Sequence, residues 1–118
     1  MCFLSSDPVS EHHEFVLIQG RNAAEKTQLV QQISFKVPNI QDLRESKQMI
    51  EEENLKFGQI VSHGNAFGMY FFDPEGNRVE LYYRTGFPVS QPHADPLDLS
   101  RSDKELLSDA RELLYKKR

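Results

Sequence analysis

The alternation of apolar and polar positions is clearest from residue 62 to residue 84, SHGNAFGMYFFDPEGNRVELYYR. Residues 67–72 and 78–83 are rich in strand formers. They flank Asp73, Pro74, Glu75, Gly76 and Asn77, whose proline, glycine and Asx chemistry suits a tight connection, so the stretch predicts a β-hairpin. Successive strand side chains leave opposite faces. Arg78, Glu80 and Tyr82 therefore share one face and Val79, Leu81 and Tyr83 the other. In the first strand Phe67, Met69 and Phe71 form the packed face, while Tyr70 and Phe72 point away from it.

The same reading extends along the chain. Residues 1–6 (MCFLSS) and 12–19 (HHEFVLIQ) read as two strands of a hairpin, with His13, Phe15 and Leu17 on one side and His12, Glu14, Val16 and Ile18 on the other. A polar loop is expected from Gly20 to Gln28. Residues 30–37 (VQQISFKV) then alternate Ile33, Phe35 and Val37 against Gln32, Ser34 and Lys36, which predicts a half-buried strand. Pro38 stops that strand, and Asn39 with Asp42 three residues later starts a helix reaching about Asn54. This helix buries Ile40, Leu43 and Ile50, leaves Glu51, Glu52 and Glu53 in water, and has a thin stripe because Lys47 interrupts it. Residues 59–62 form a strand leading into the central hairpin. Residues 85–96 contain three prolines and read as an arm across the surface. Ser102 and Glu105 then form a capping box, and Leu106, Leu107, Ala110, Leu113 and Leu114 fall at helical spacing, with Lys116, Lys117 and Arg118 against the negative end of the helix dipole. That helix docks on its own sheet or on a partner subunit.

The class is α+β: a βαβββ module over residues 30–84, preceded by a β-hairpin, forming a curved mixed sheet, with a C-terminal helix. Residues 1–84 make the main domain, and residues 85–118 the arm and docking helix. The 118 residues suit one core. With 38% hydrophobic residues that core is modest, and a second subunit would cover more of it, so a homo-oligomer is expected. A net charge of -4 argues against nucleic acid or an anionic membrane as partner. Cys2, the single cysteine, allows no internal disulfide and has no signal for a redox role, which fits a cytoplasmic location. No apolar run approaches the ~20 residues of a membrane span.

The pattern HxNxFxxYFxDPxGNxxEL, from His63 to Leu81, resembles the closing hairpin of the vicinal oxygen chelate superfamily (glyoxalase, bleomycin resistance and extradiol dioxygenase proteins). His63, Asn65 and Tyr70 resemble its single-domain type I extradiol ring-cleavage dioxygenases in particular. The βαβββ order resembles the repeating unit of that superfamily, and the DLSRSDKELL tail is similar to that of its single-domain members. By this comparison residues 1–29 supply only part of a first module, and the strand bearing the family's first metal histidine is absent. The chain would then be a short form, an internal start or a partial sequence.

The resemblance implies roles. His13, His63 and Tyr70 would be catalytic, with Asn65 and Phe72 against the substrate. Glu80 would be a metal ligand, and Gln32 would stand where the family has its second metal histidine. The metal would be Fe(II), or Mn(II) in some members, bound by two histidines and one carboxylate; the substrate would be a small aromatic diol of the catechol type. An imidazole titrating near neutrality suits His13 as a proton acceptor. Taken alone, Glu80 reads as a solvated strand glutamate, Gln32 as an ordinary polar residue and His13 as a surface histidine. His12 is expected to be a surface neighbour that exchanges roles with His13 if the strand register slips by one residue. His93, in the arm, is expected to be solvated. Three functions stay open: Fe(II)-dependent oxidative cleavage of a catechol, a metal-free binding module or inactive truncated relative, and a glyoxalase-type metal-dependent isomerase, with which Gln32 is compatible.

Overall fold

Asp73 builds the turn on which the main sheet depends. Its Oδ1 accepts from the backbone N–H of Glu75 (3.0 Å) and of Asn77 (2.8 Å), its Oδ2 accepts from Asn77 Nδ2 (2.8 Å), and Gly76 supplies a positive φ of 84°. In the computed structural model, which describes residues 1–20 and 29–116, this turn joins two strands in antiparallel register, with Tyr70 opposite Glu80 and Gly68 opposite Tyr82. Beyond Gly20, the polar loop expected from Gly20 to Gln28 lies outside the described residues, as do the expected dipole contacts of Lys117 and Arg118.

The elements are β1 (Cys2–Leu4), β2 (Phe15–Leu17), β3 (Ile33–Lys36), α1 (Ile40–Glu52), β4 (Phe57–Ser62), β5 (Ala66–Phe72), β6 (Arg78–Arg84), β7 (Asp95–Pro96) and α2 (Asp103–Glu112). The βαβββ order is present as β3, α1, β4, β5 and β6, and the class is α+β. The five-stranded sheet runs β3-β6-β5-β4-β7, with β3 parallel to β6 and the other pairs antiparallel. The preceding hairpin, β1 with β2, makes a separate two-stranded sheet. Arg84, at the end of β6, links the two by donating to Ser10 O (2.8 Å) and pairing with the Glu11 carboxylate.

Both helices cover one face of the larger sheet. Ile40, Leu43 and Ile50 of α1 and Leu106 and Ala110 of α2 close on Phe67, Met69 and Leu99, and Phe67, Leu43 and Met69 are fully buried. Each helix starts where the sequence places it: Asn39 accepts from Asp42 N (2.8 Å), and Ser102 and Glu105 complete a reciprocal capping box. Arg44 of α1 fixes the approach to α2 by donating to Leu99 O (2.8 Å) and Arg101 O (2.9 Å) and pairing with Asp103 (2.7 Å).

Two local expectations change. β3 is exposed along its whole length rather than half-buried, with Ile33 at 45% and Phe35 at 56%, because it is the edge strand and the helices pack over β5 and β6 instead. Leu114 lies beyond the end of α2 and is exposed, so it does not extend the helical stripe. The arm does cross the surface, and within it Asp95 and Pro96 pair with Ser62 and Val61 at the β4 edge as β7.

Candidate functional site

The face of the sheet opposite the helices carries the cluster. Register places Tyr70 across from Glu80, and Glu80 beside Ser34 of β3, so alternation brings Gln32, Ser34, Tyr70 and Glu80 to the same side. Tyr70 and Glu80 are buried, at 7% and 9% exposure. His63, just past β4, donates its backbone N–H to Ala66 O (2.8 Å), and its Nε2 lies 3.0 Å from the Tyr70 hydroxyl. Its Nδ1 lies 2.8 Å from His93 O. A carbonyl only accepts, so Nδ1 carries the hydrogen. In the neutral ring Nε2 is then an acceptor, and Tyr70 donates to it.

Tyr70 also faces Glu80. Burial pushes the phenol well above its ordinary pKa, and the hydrogen bond and negative charge of Glu80 push it further, opposed by Arg78, whose guanidinium lies 4.7 Å from the ring centre. Burial and then the Glu80 charge raise Tyr82 as well. Tyr70 therefore has one proton facing two acceptors, His63 Nε2 and the Glu80 carboxylate. Gln32 adds a donor, its Nε2 lying 3.5 Å from Glu80 Oε1 and 3.0 Å from Ser34 Oγ.

These side chains fit together because position 68 is glycine. A Cβ there would lie 2.8 Å from Glu80 Oε2, 3.3 Å from Tyr70 Cε2 and 3.5 Å from His63 Nε2. A glycine inside a strand marks the close approach of another group, and that signal was present in the sequence.

Over 86 residues the chain is 31% identical to biphenyl-2,3-diol 1,2-dioxygenase 3 of Rhodococcus globerulus, an alignment covering 69% of this chain and 44% of the relative. The chain is dioxygenase-like. It spans less than half the length of that relative. No family model and no solved structure matches it.

In this dioxygenase-like chain the metal donors expected by resemblance do not form a complete set. Among the described residues no three His, Cys, Asp or Glu side chains converge as a metal centre requires. Both nitrogens of His63 are engaged, and Gln32 turns its amide nitrogen towards Glu80. One carboxylate and one amide do not fit a centre of two histidines and a carboxylate.

His13 approaches from the smaller sheet, where it precedes β2 instead of lying within it. Its Nδ1 is 2.8 Å from His12 Nδ1, and Phe3 lies 5.0 Å from each imidazole, ring centre to ring centre. Burial lowers the pKa of His13, as do His12 and His63, while Glu80 opposes the shift. The folded chain thus binds this proton less tightly than the unfolded chain. The contribution to folding is fully present above the unfolded pKa of about 6.5 and is lost as pH falls through the lower folded value. A titration of the ring carbon protons by NMR should give His13 a midpoint below that of a solvated histidine; a midpoint at or above it would refute the lowered pKa of this ring, which is only partly withdrawn from water.

The remaining expected site residues lie around this cluster. Asn65 holds the β4–β5 turn, its carbonyl accepting from Thr85 N (3.0 Å). Phe72 sits at the turn end of β5, its ring 5.1 Å from the Lys56 ammonium. His93 is a correction: its side chain is 21% exposed, not solvated. The ring Nε2 is 3.0 Å from Asp95 Oδ2 but off the hydrogen-bonding direction, so the contact is an ion contact at most. Cys2 is exposed and free. Among the described residues no helix is long and apolar enough to cross a membrane.

Proposed function

We propose that this chain binds a catechol-type aromatic diol on the open face formed by His63, Tyr70, Glu80 and Gln32, with His13 at the rim. One observation carries the reading: the cluster has more acceptors than donors. The Glu80 carboxylate and His63 Nε2 accept, a neutral His13 offers one accepting nitrogen beside its one N–H, and Tyr70 has a single proton to share between Glu80 and His63. A ligand bringing two adjacent O–H groups supplies what is missing, and its oxygens can accept from Tyr70 and Gln32. The likeness to an enzyme named for a biphenyl diol agrees with that chemistry. Asn65 and Phe72 flank the face as candidate contacts for the ring.

The reading is diol binding without a resident metal, because the described donor set does not fit Fe(II) or Mn(II). The test uses 2,3-dihydroxybiphenyl, with biphenyl as the control lacking hydroxyls, titrated by calorimetry. Saturable binding of the diol alone is expected. Tyr70→Phe removes one hydrogen bond, a loss of about 0.5–1.5 kcal/mol, and should weaken binding roughly three- to tenfold. Equal binding of biphenyl, or none of the diol, would overturn the proposal. Oxygen uptake after anaerobic loading with Fe(II) would overturn its metal-free part and restore the ring-cleavage reading.

A further inference from the structure

The arm at residues 85–96 does more than cross the surface, because three of its residues close around His63. Gln91 Nε2 donates to His63 O (2.6 Å) and to Val89 O (3.2 Å), and Gln91 Oε1 accepts from His93 N (3.3 Å). One side chain therefore fixes both ends of a short loop and brings His93 O onto His63 Nδ1 at 2.8 Å. The loop is seated from the other side as well. Val89 is buried against Gly64, which has φ +77°, and a Cβ at that glycine would lie 2.7 Å from Val89 Cγ1. Thr85 Oγ1 donates to Gly64 O at 2.6 Å.

A free imidazole favours the tautomer with hydrogen on Nε2. Here the His93 carbonyl demands the opposite tautomer, and only that one lets Nε2 accept from Tyr70. We propose that Gln91 is a positioning residue that, by holding the His93 carbonyl against His63, sets the histidine tautomer and so directs the Tyr70 proton. This deepens the diol-binding reading and rests on it for its functional consequence. The tautomer itself can be read without any ligand.

The experiment is long-range 1H–15N correlation NMR on the full, 15N-labelled chain, at a pH well above the imidazole range. In the unmodified protein His63 should show hydrogen on Nδ1; hydrogen on Nε2 would overturn the proposal. Gln91→Glu keeps the acceptor for His93 N but removes the donor to His63 O, so His63 should shift to the Nε2–H or an averaged pattern. Affinity for 2,3-dihydroxybiphenyl should fall by about three- to tenfold, as for the loss of one hydrogen bond. Gln91→Met, which removes the donor without adding charge, gives the same comparison if the glutamate variant does not fold. An unchanged Nδ1–H pattern in a folded Gln91 variant would overturn the assignment. Tyr70→Phe should keep Nδ1–H; if the pattern collapses there, Tyr70 sets the tautomer and Gln91 does not. Nδ1–H in a chain that binds no diol would sink the functional reading and leave this one standing.

Discussion

Phe67→Ala should cost about 3–5 kcal/mol of folding stability. Phe67 is fully buried on the helix-covered face of β5, with Met69 beside it and Leu43 and Leu106 in the same core. Truncation removes the largest of the fully buried side chains and leaves a cavity that strands on both sides of β5 keep from closing. Against a typical total of about 5–15 kcal/mol, the loss leaves the domain near its threshold. Urea unfolding followed by circular dichroism measures it through the midpoint. Phe35→Ala is the matched control, because Phe35 is exposed on the edge strand, and it should change stability by no more than about 0.5 kcal/mol. If the two variants lose the same amount, the helices do not rest on the sheet as described.

Gly68→Ala should abolish most diol binding while sparing the fold. The added methyl would approach Glu80 Oε2 to 2.8 Å, so the carboxylate, the free end of a flexible side chain, has to shift from its place beside Tyr70 while the backbone stays where it is. Gly68 does not have a positive φ, so no backbone strain accompanies the change. Displacing Glu80 forfeits a hydrogen bond to a charged group, about 1.5–3 kcal/mol, which is tenfold or more in affinity. Calorimetry with 2,3-dihydroxybiphenyl reads the loss, and thermal unfolding of the same sample checks the fold. Unchanged affinity would mean that Glu80 does not touch the ligand.

What the sequence could disclose followed from how local each feature is. The turn chemistry of Asp73 to Asn77 and the caps at Asn39 and Ser102 act within four residues, and the structure matches each. Alternation put Tyr70 and Glu80 on one face, and the hairpin register then set them directly opposite. Alternation predicts that one face of a strand is apolar but not that anything covers it, which is why β3 reads as half-buried and is exposed. His93 was missed for a different reason. Its backbone carbonyl carries the contact to His63, and no side-chain pattern reports where a carbonyl will point. Gly68 was visible as a gap in the strand pattern, but its use emerges only once three side chains from β5, β6 and the end of β4 meet above it.

The separate β1–β2 ribbon has a consequence for the ligand. His13 and Glu80 belong to pieces that share no strand, and the Arg84 contacts to Ser10 and Glu11 are partly open to solvent. Dissolved ions weaken such a tether, because exposed charge pairs are worth at most about 1 kcal/mol and are screened over a Debye length of about 8 Å at physiological ionic strength. Even an uncharged guest would then be held less firmly in brine than in dilute buffer, through the loosened seat of one imidazole and not through any charge of its own.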